Sequence, residues 1–190
     1  MERSVYNYTY KGTKNYTNLK VDVYTFKCEF NHIYIVEIEK FERNIYIIQY
    51  YLKSHSDSDN RHSLIISKDS KNNKTGAKNF LIVLNTIQDL MFSYLSRNNK
   101  ASFGFIGAKS ISYNKNNALN TKILEILNED GTYNNTQRFR IYRNFIRRYF
   151  STKVFKHIEF KSMSSYLLLN KKNELTTKES LEFFLNYMNQ

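Results

Sequence analysis

The chain has 190 residues, a formal net charge of +12, one Cys, no Pro and no Trp. This length suits one well-packed domain, so we expect a single domain over residues 1–190. Its 41% hydrophobic and 24% charged residues are typical of a globular protein, which excludes collagen-like, coiled-coil and wholly disordered classes. Cys28 alone cannot form an internal disulfide, and with four scattered His it leaves no zinc-finger or iron–sulfur framework.

Membrane and secreted classes are not expected. No apolar run approaches the roughly 18 residues that a bilayer span needs. The first residues of the chain also lack the apolar core of a signal peptide. The sequence therefore predicts a cytoplasmic protein with no membrane partner.

The N-terminal third predicts strands. Residues 1–18 have little periodicity and either fray or add an edge strand. Apolar and polar residues then alternate with a period of two over 21–30, 33–39 and 44–52, which predicts three strands. Short breaks separate these strands, with Asn31 and His32 as a hairpin turn, so we expect an antiparallel meander. The polar stretch that follows, 53–61, predicts an exposed loop.

Helices and further strands alternate in the rest of the chain. Apolar residues spaced three and four apart predict a long core helix over 77–95, and an amphipathic helix over 136–150 with Thr136 as its N-cap. Strands are predicted at 63–67, 102–108, 154–160 and 165–170, a short helix or strand at 119–127, and a closing helix over 178–188 capped by Thr177. The fold class predicted is α+β: one antiparallel sheet, made of the N-terminal meander plus a C-terminal strand pair, packed by three helices.

Charge is segregated along the chain. Residues 1–60 hold eight basic and eight acidic side chains, so residues 61–190 carry the whole net charge of +12. Within that part, the basic segment 131–172 has ten basic residues against Glu159 alone, a net charge of +9. A concentrated positive field of this kind attracts polyanions such as RNA and DNA.

Three arginines of this segment lie on one side of the predicted helix 136–150, and Arg138 and Arg148 lie nearer its flanks. Arg140, Arg143 and Arg147 cluster opposite its apolar residues, and the helix contains no carboxylate to partner them. Guanidinium groups fork onto phosphates and stack on bases, which favours RNA or single strands. The alternative is a solvated or internally paired face, with acidic residues of the N-terminal half covering it. The residues predicted to bind nucleic acid are Arg138, Arg140, Arg143, Arg147, Arg148, Lys153, Lys156, Lys171 and Lys172.

Three sequence blocks carry a resemblance. The segments SFGFIGA, NTQRFRIYRNFIRRYF and SSYLLLNKKNE resemble small uncharacterised proteins of bacteria and their mobile elements, over residues 80–172. That resemblance implies no particular chemistry. In its general character as a small basic protein, the chain is also similar to phage-encoded inhibitors of RNA-guided nucleases, the anti-CRISPR proteins. This second resemblance implies a CRISPR effector or its guide RNA as partner.

Catalytic groups are few. Cys28 lies in an apolar alternating strand, which indicates an inert buried thiol, and Asp57 and Asp59 lack the third carboxylate of a metal site. SFGFIGA lacks the Lys and Ser/Thr of a phosphate loop, so no nucleotide cofactor is expected. His157 is the one histidine in the basic segment. With Arg143, Arg147 and Glu159, and with Tyr149 assisting, it could act as the general base of a metal-independent ribonuclease.

The sequence therefore predicts a non-enzymatic protein whose basic surface binds RNA or a ribonucleoprotein, without a cofactor or metal. Two alternatives stay open. One is the toxin-like ribonuclease that uses His157, and the other is an adaptor that docks on an acidic protein through the same arginines.

Overall fold

The computed structural model describes residues 4–17, 19–58, 61, 73–106, 137–160 and 165–188. Two short 3₁₀ turns, Glu42–Asn44 and Lys53–His55, flank the fourth strand. In chain order the strands and helices are β1 (Tyr8–Tyr16), β2 (Leu19–Lys27), β3 (Ile33–Lys40), β4 (Ile45–Leu52), α1 (Asn73–Arg97), β5 (Ser102–Ile106), α2 (Gln137–Tyr149), β6 (Phe155–Phe160), β7 (Ser165–Asn170) and α3 (Thr177–Met188).

One seven-stranded sheet, in the order β1-β2-β3-β4-β5-β7-β6, runs through the described chain. β1 to β4 form the antiparallel meander that alternation predicts, and β6 and β7 form the predicted strand pair. β5 joins the two parts because it pairs with β4 on one side and β7 on the other. The fold is therefore α+β, as predicted. One pair, β4 with β5, is parallel, since α1 carries the chain back across the sheet between them.

Strand alternation gives the sheet two apolar faces. Tyr24, Val36 and Phe103 belong to the core under α1 and α2, whereas Ile47 and Leu167 belong to the core under α3 on the opposite face. All six residues of β7 are buried, as expected for a strand covered on both sides. The molecule thus has three layers, with the sheet in the middle.

Gly104 in β5 permits this close packing. A Cβ at this position would clash with Ile47 Cδ1 and lie 2.8 Å from Phe184 Cζ of α3. The glycine therefore lets α3 approach the sheet at the strand that joins its two halves.

The N-terminal stretch forms the edge strand β1, which is one of the two alternatives predicted for it. Other predicted details differ in the structure. The β2–β3 turn is longer than Asn31-His32: Asn31 N donates to Cys28 O at 3.0 Å, and Cys28 N to His32 O at 2.9 Å. Asn31 takes a positive φ of 63° there. The predictions at 63–67 and 119–127, and the cap Thr136, lie outside the described residues.

The cap of α3 is Thr176 and not Thr177, which is a correction. Thr176 Oγ1 accepts the Glu179 backbone N–H at 3.2 Å, and the Glu179 carboxylate accepts the Thr176 N–H at 2.8 Å. This reciprocal pair is a capping box, which satisfies two backbone donors at the helix start. Thr177 instead lies one residue inside the helix, where its hydroxyl is available to a neighbouring strand.

Candidate nucleic-acid interface

Helix α2 places its two sides as its sequence predicts. Phe139, Tyr142 and Ile146 are at most 4% exposed and pack into the core, while Arg140 and Arg148 are exposed. The helix is held because its apolar side covers the sheet near β7. The side chain of Arg138 lies outside the described part of the chain.

Two of the three clustered arginines have a carboxylate partner. Arg143 Nε donates to Glu159 Oε1 at 3.2 Å, and Arg147 Nη2 donates to the same oxygen at 2.6 Å. The partner comes from β6 and not from the N-terminal half of the chain, so that prediction is corrected. The Glu159 side chain is 14% exposed and that of Arg147 is 53% exposed. One negative charge shared between two cations leaves this cluster net positive.

The predicted lysines gather where β6 starts and β7 ends. Lys171 N donates to Val154 O at 2.9 Å, which sets the turn holding Lys171 and Lys172 beside Lys153. Lys156, on β6, donates from Nζ to Thr177 Oγ1 at 2.6 Å. All four lysines are exposed. Topology therefore brings together cations that are up to 19 positions apart in the sequence.

The acidic residues nearest these lysines are engaged elsewhere. Glu174 pairs with Lys100 at 2.7 Å, and Glu179 pairs with Arg43 at 2.6 Å. Among the described residues, no carboxylate oxygen lies within ion-pair distance of the following six cations. We define these six cations as the basic surface, which has two parts: Arg140 and Arg148 on α2, and Lys153, Lys156, Lys171 and Lys172 at the start of β6 and the end of β7.

Asparagine side chains fix the turns that carry the lysines. Asn170 Nδ2 donates to the carbonyls of Asn99 and Ala101 at 2.9 and 3.2 Å. Asn173 Nδ2 donates to the carbonyl of Arg43 at 2.8 Å and to Ser102 Oγ at 3.0 Å. Three turns at one end of the sheet are thus tied together. Sequence reasoning missed these residues, because asparagine in a turn is expected without any tertiary partner.

His157, the general base of the ribonuclease alternative, is half-buried on β6. Its Nδ1 lies 2.8 Å from Tyr166 Oη, and its Nε2 is buried without a hydrogen-bond partner among the described residues. Burial lowers the pKa of His157 below its usual value and the positive charge of Arg147 acts in the same direction, whereas the Phe150 backbone and Glu159 oppose them. A general base must reach the proton that it removes. Tyr166 engages Nδ1, although the His157 ring does line an open cleft beside β6 and β7.

Three further observations concern the cysteine, metal-ion clusters and membrane spans. Cys28 is buried at 4% exposure. In the described ranges, no three His, Cys, Asp or Glu side chains are grouped to hold a metal ion. No described helix has the length and apolar content to cross a membrane.

Comparisons with known proteins add no relationship. The chain matches no protein-family model, no curated protein sequence and no solved structure. The fold and the charges described above are therefore the basis for any functional inference.

Proposed function

We propose that this protein is a non-enzymatic RNA-binding protein that engages RNA, free or within a ribonucleoprotein, through its basic surface. The observation that carries the proposal is the lack of counter-charge. Lys153, Lys171 and Lys172 are exposed with no carboxylate of the described residues in ion-pair range, and Glu174, two residues after Lys172, pairs with Lys100 instead. Lysines that are gathered at one place on the surface repel one another until a polyanion neutralises them.

Binding would follow the physics of counterion release. Each lysine or arginine that contacts a phosphate displaces a condensed cation from the nucleic acid, so affinity falls steeply with salt. Such contacts position the chain on the RNA but carry little sequence information. We therefore expect strong salt dependence and a weak preference among base sequences.

The inhibitor function implied by the resemblance is a narrower form of this proposal. A basic surface that binds a guide RNA, or blocks the nucleic-acid channel of an RNA-guided nuclease, would prevent target binding. Only the general resemblance to anti-CRISPR proteins supports that form, whereas the charge distribution supports RNA binding in general.

The test compares two triple variants with the same change in net charge. Lys153→Ala/Lys171→Ala/Lys172→Ala removes three cations of the basic surface. Its control removes three exposed lysines on β1 and at the opposite end of the sheet: Lys11→Ala/Lys27→Ala/Lys53→Ala. Labelled RNA is titrated with each protein across a salt series.

The first variant should lose roughly tenfold or more in affinity, about 1.4 kcal/mol. Its slope of log affinity against log salt should be shallower by about 2, since each phosphate contact with a single strand contributes about 0.7. The control should keep most of its affinity. Equal losses in both variants, or no binding by the unmodified protein, would overturn the proposal and favour docking on an acidic protein.

The arginine cluster makes a poorer test. Replacing Arg143 and Arg147 by Ala would leave the Glu159 carboxylate, at 14% exposure, without its two partners. A partly buried charge that loses its partners destabilises the fold. Lost binding could then reflect unfolding and not a lost contact.

A further inference from the structure

An open cleft of about 880 Å³ lies beside the start of β6 and the end of β7, where the chain turns towards α3. We call it the β6–β7 cleft. Its polar lining comes from Thr152, Lys156, His157, Asn170, Lys171, Asn173, Thr176 and Thr177. Two of these belong to the basic surface, and the described lining contains no carboxylate. The volume is within the range of sites that hold a small molecule or a nucleotide.

The two lysines of the cleft are held close to each other. Lys156 is paired with Leu169 in the β6–β7 ladder, so Lys171 takes the diagonal position, where Cα atoms are about 7–8 Å apart. The bond to Thr177 fixes the Lys156 ammonium, and the bond to Val154 fixes the backbone of Lys171. The Lys171 side chain, which starts from the turn after β7, can bring its ammonium towards that of Lys156, and two neighbouring cations favour an anion that contacts both.

The apolar lining is unsuited to base stacking. Phe155, Leu169 and Leu175 are 3%, 5% and 8% exposed, so their side chains are already covered by the core. Proteins that stack bases present exposed aromatic rings. The β6–β7 cleft instead offers ammonium, hydroxyl and amide groups, which match phosphate and sugar.

The start of α3 does not itself provide the anion site. The Glu179 carboxylate accepts hydrogen bonds from both the Thr176 backbone and the Thr176 hydroxyl at 2.8 Å, so the helix end already has a negative group. The inference rests on the lysines and on the shape of the cleft.

We propose that the β6–β7 cleft holds the sugar–phosphate backbone of one single-stranded nucleic acid, with phosphates on Lys156 and Lys171. This inference rests on the proposed function and extends it by naming the form of RNA. A concave cleft of this size admits one strand, whereas a duplex presents two backbones across a broad groove. Single-stranded RNA should therefore bind more tightly than the same sequence as a duplex.

The experiment fills the cleft without changing its charge. Thr152→Trp places a large ring in the cleft from an exposed turn position, and Ser54→Trp places the same ring at the opposite end of the sheet. Each protein is titrated with a short single-stranded RNA, the matching duplex RNA and single-stranded DNA. Lys156→Gln, with Lys27→Gln as its control, tests the cleft a second time should Thr152→Trp unfold, which circular dichroism reports.

Thr152→Trp should weaken binding of single-stranded RNA by roughly tenfold, and Lys156→Gln by roughly threefold, while both controls bind as the unmodified protein does. If the same variants also weaken binding of single-stranded DNA, that result supports the inference, because DNA has the same phosphates. Duplex RNA that binds as tightly as the single strand would overturn the inference. So would unchanged binding by both cleft variants while the triple lysine variant still loses affinity, a result that leaves the proposed function intact.

Discussion

The meander β1–β4 and the basic segment differ in whether their charged side chains have partners inside the fold. In the meander, Asp22 is 4% exposed and receives bonds from Lys40 at 2.6 Å, from Thr13 and from Tyr94. Among the described residues, the cations of the basic surface have no carboxylate in ion-pair range. Charges of the meander hold strands and helices together, whereas no ion pair of the described residues uses those of the basic surface.

Two further clusters of the meander show the same closure. Lys14 Nζ lies 2.9 Å from Glu37 Oε1. Glu39 accepts hydrogen bonds from Gln49 and from Tyr187 of α3, at 2.9 and 2.7 Å. The net charge of a region therefore does not by itself show whether that region binds a charged partner. The informative quantity is how many of the charges in a region have partners inside the fold.

Removing the Asp22 carboxylate should have the largest effect on this comparison. Asp22→Ala leaves the Tyr94 hydroxyl, which is buried, and the Lys40 ammonium, which is 35% exposed, without their shared acceptor. Loss of one partner from such a buried set costs about 3 kcal/mol. Urea denaturation should show this fall in the free energy of unfolding.

Asp57→Ala is the matched control, because it makes the same substitution at an exposed position. It should change the free energy of unfolding by less than about 0.5 kcal/mol. Similar values for the two variants would mean that the contacts of Asp22 do not stabilise the meander.

The same carboxylate should make stability depend on acid pH. Burial raises the pKa of Asp22, but the bonds from Lys40, Thr13 and Tyr94 outweigh it, so the pKa lies below its ordinary value. A carboxyl with a lowered pKa in the folded state stabilises the protein above its unfolded pKa of about 3.9, and this contribution is lost as pH falls through the folded pKa.

Unfolding of the unmodified protein and of Asp22→Asn, measured from neutral pH downwards, checks the sign. The difference between their free energies of unfolding should be constant near neutral pH and shrink below about pH 4. A difference that stays constant throughout would show that the ionised form of Asp22 is not the stabilising one.

Local patterns explain how much of the fold could be predicted. Alternation located β2, β3 and β4, and three- and four-residue spacing located α1 and α2, because both periods follow from backbone geometry. The parallel pairing of β4 with β5 was missed, although a strand, a long helix and a strand in succession indicate it. The Thr176 capping box was also present in the sequence, with Glu179 three residues later.

The pairing of the arginines could not be predicted from the sequence. Glu159 lies 16 positions after Arg143 and 12 after Arg147, so no helical or strand spacing links them. Only the packing of α2 over the edge strand β6 brings the three side chains together. The contacts of Asn170 and Asn173 could not be predicted for the same reason, because their partners lie up to 130 positions away in the sequence.

Glu159→Gln should have the smallest effect of these variants, and it tests directly whether Arg143 and Arg147 can bind RNA. It removes the one negative charge that Arg143 and Arg147 share, which frees both guanidinium groups beside the basic surface. RNA affinity should rise roughly threefold, and the salt dependence should become steeper, since more cations then contact phosphates.

Glu29→Gln makes the same change in net charge in the exposed β2–β3 turn, at the opposite end of the sheet from the lysines. If both variants tighten binding equally, only the overall charge matters and the position of the arginines does not. If Glu159→Gln alone tightens it, then Glu159 limits the affinity of the basic surface. The carboxylate that holds α2 on β6 would also keep the binding of RNA weak enough to be reversible, because the same two arginines cannot serve the fold and the phosphates at once.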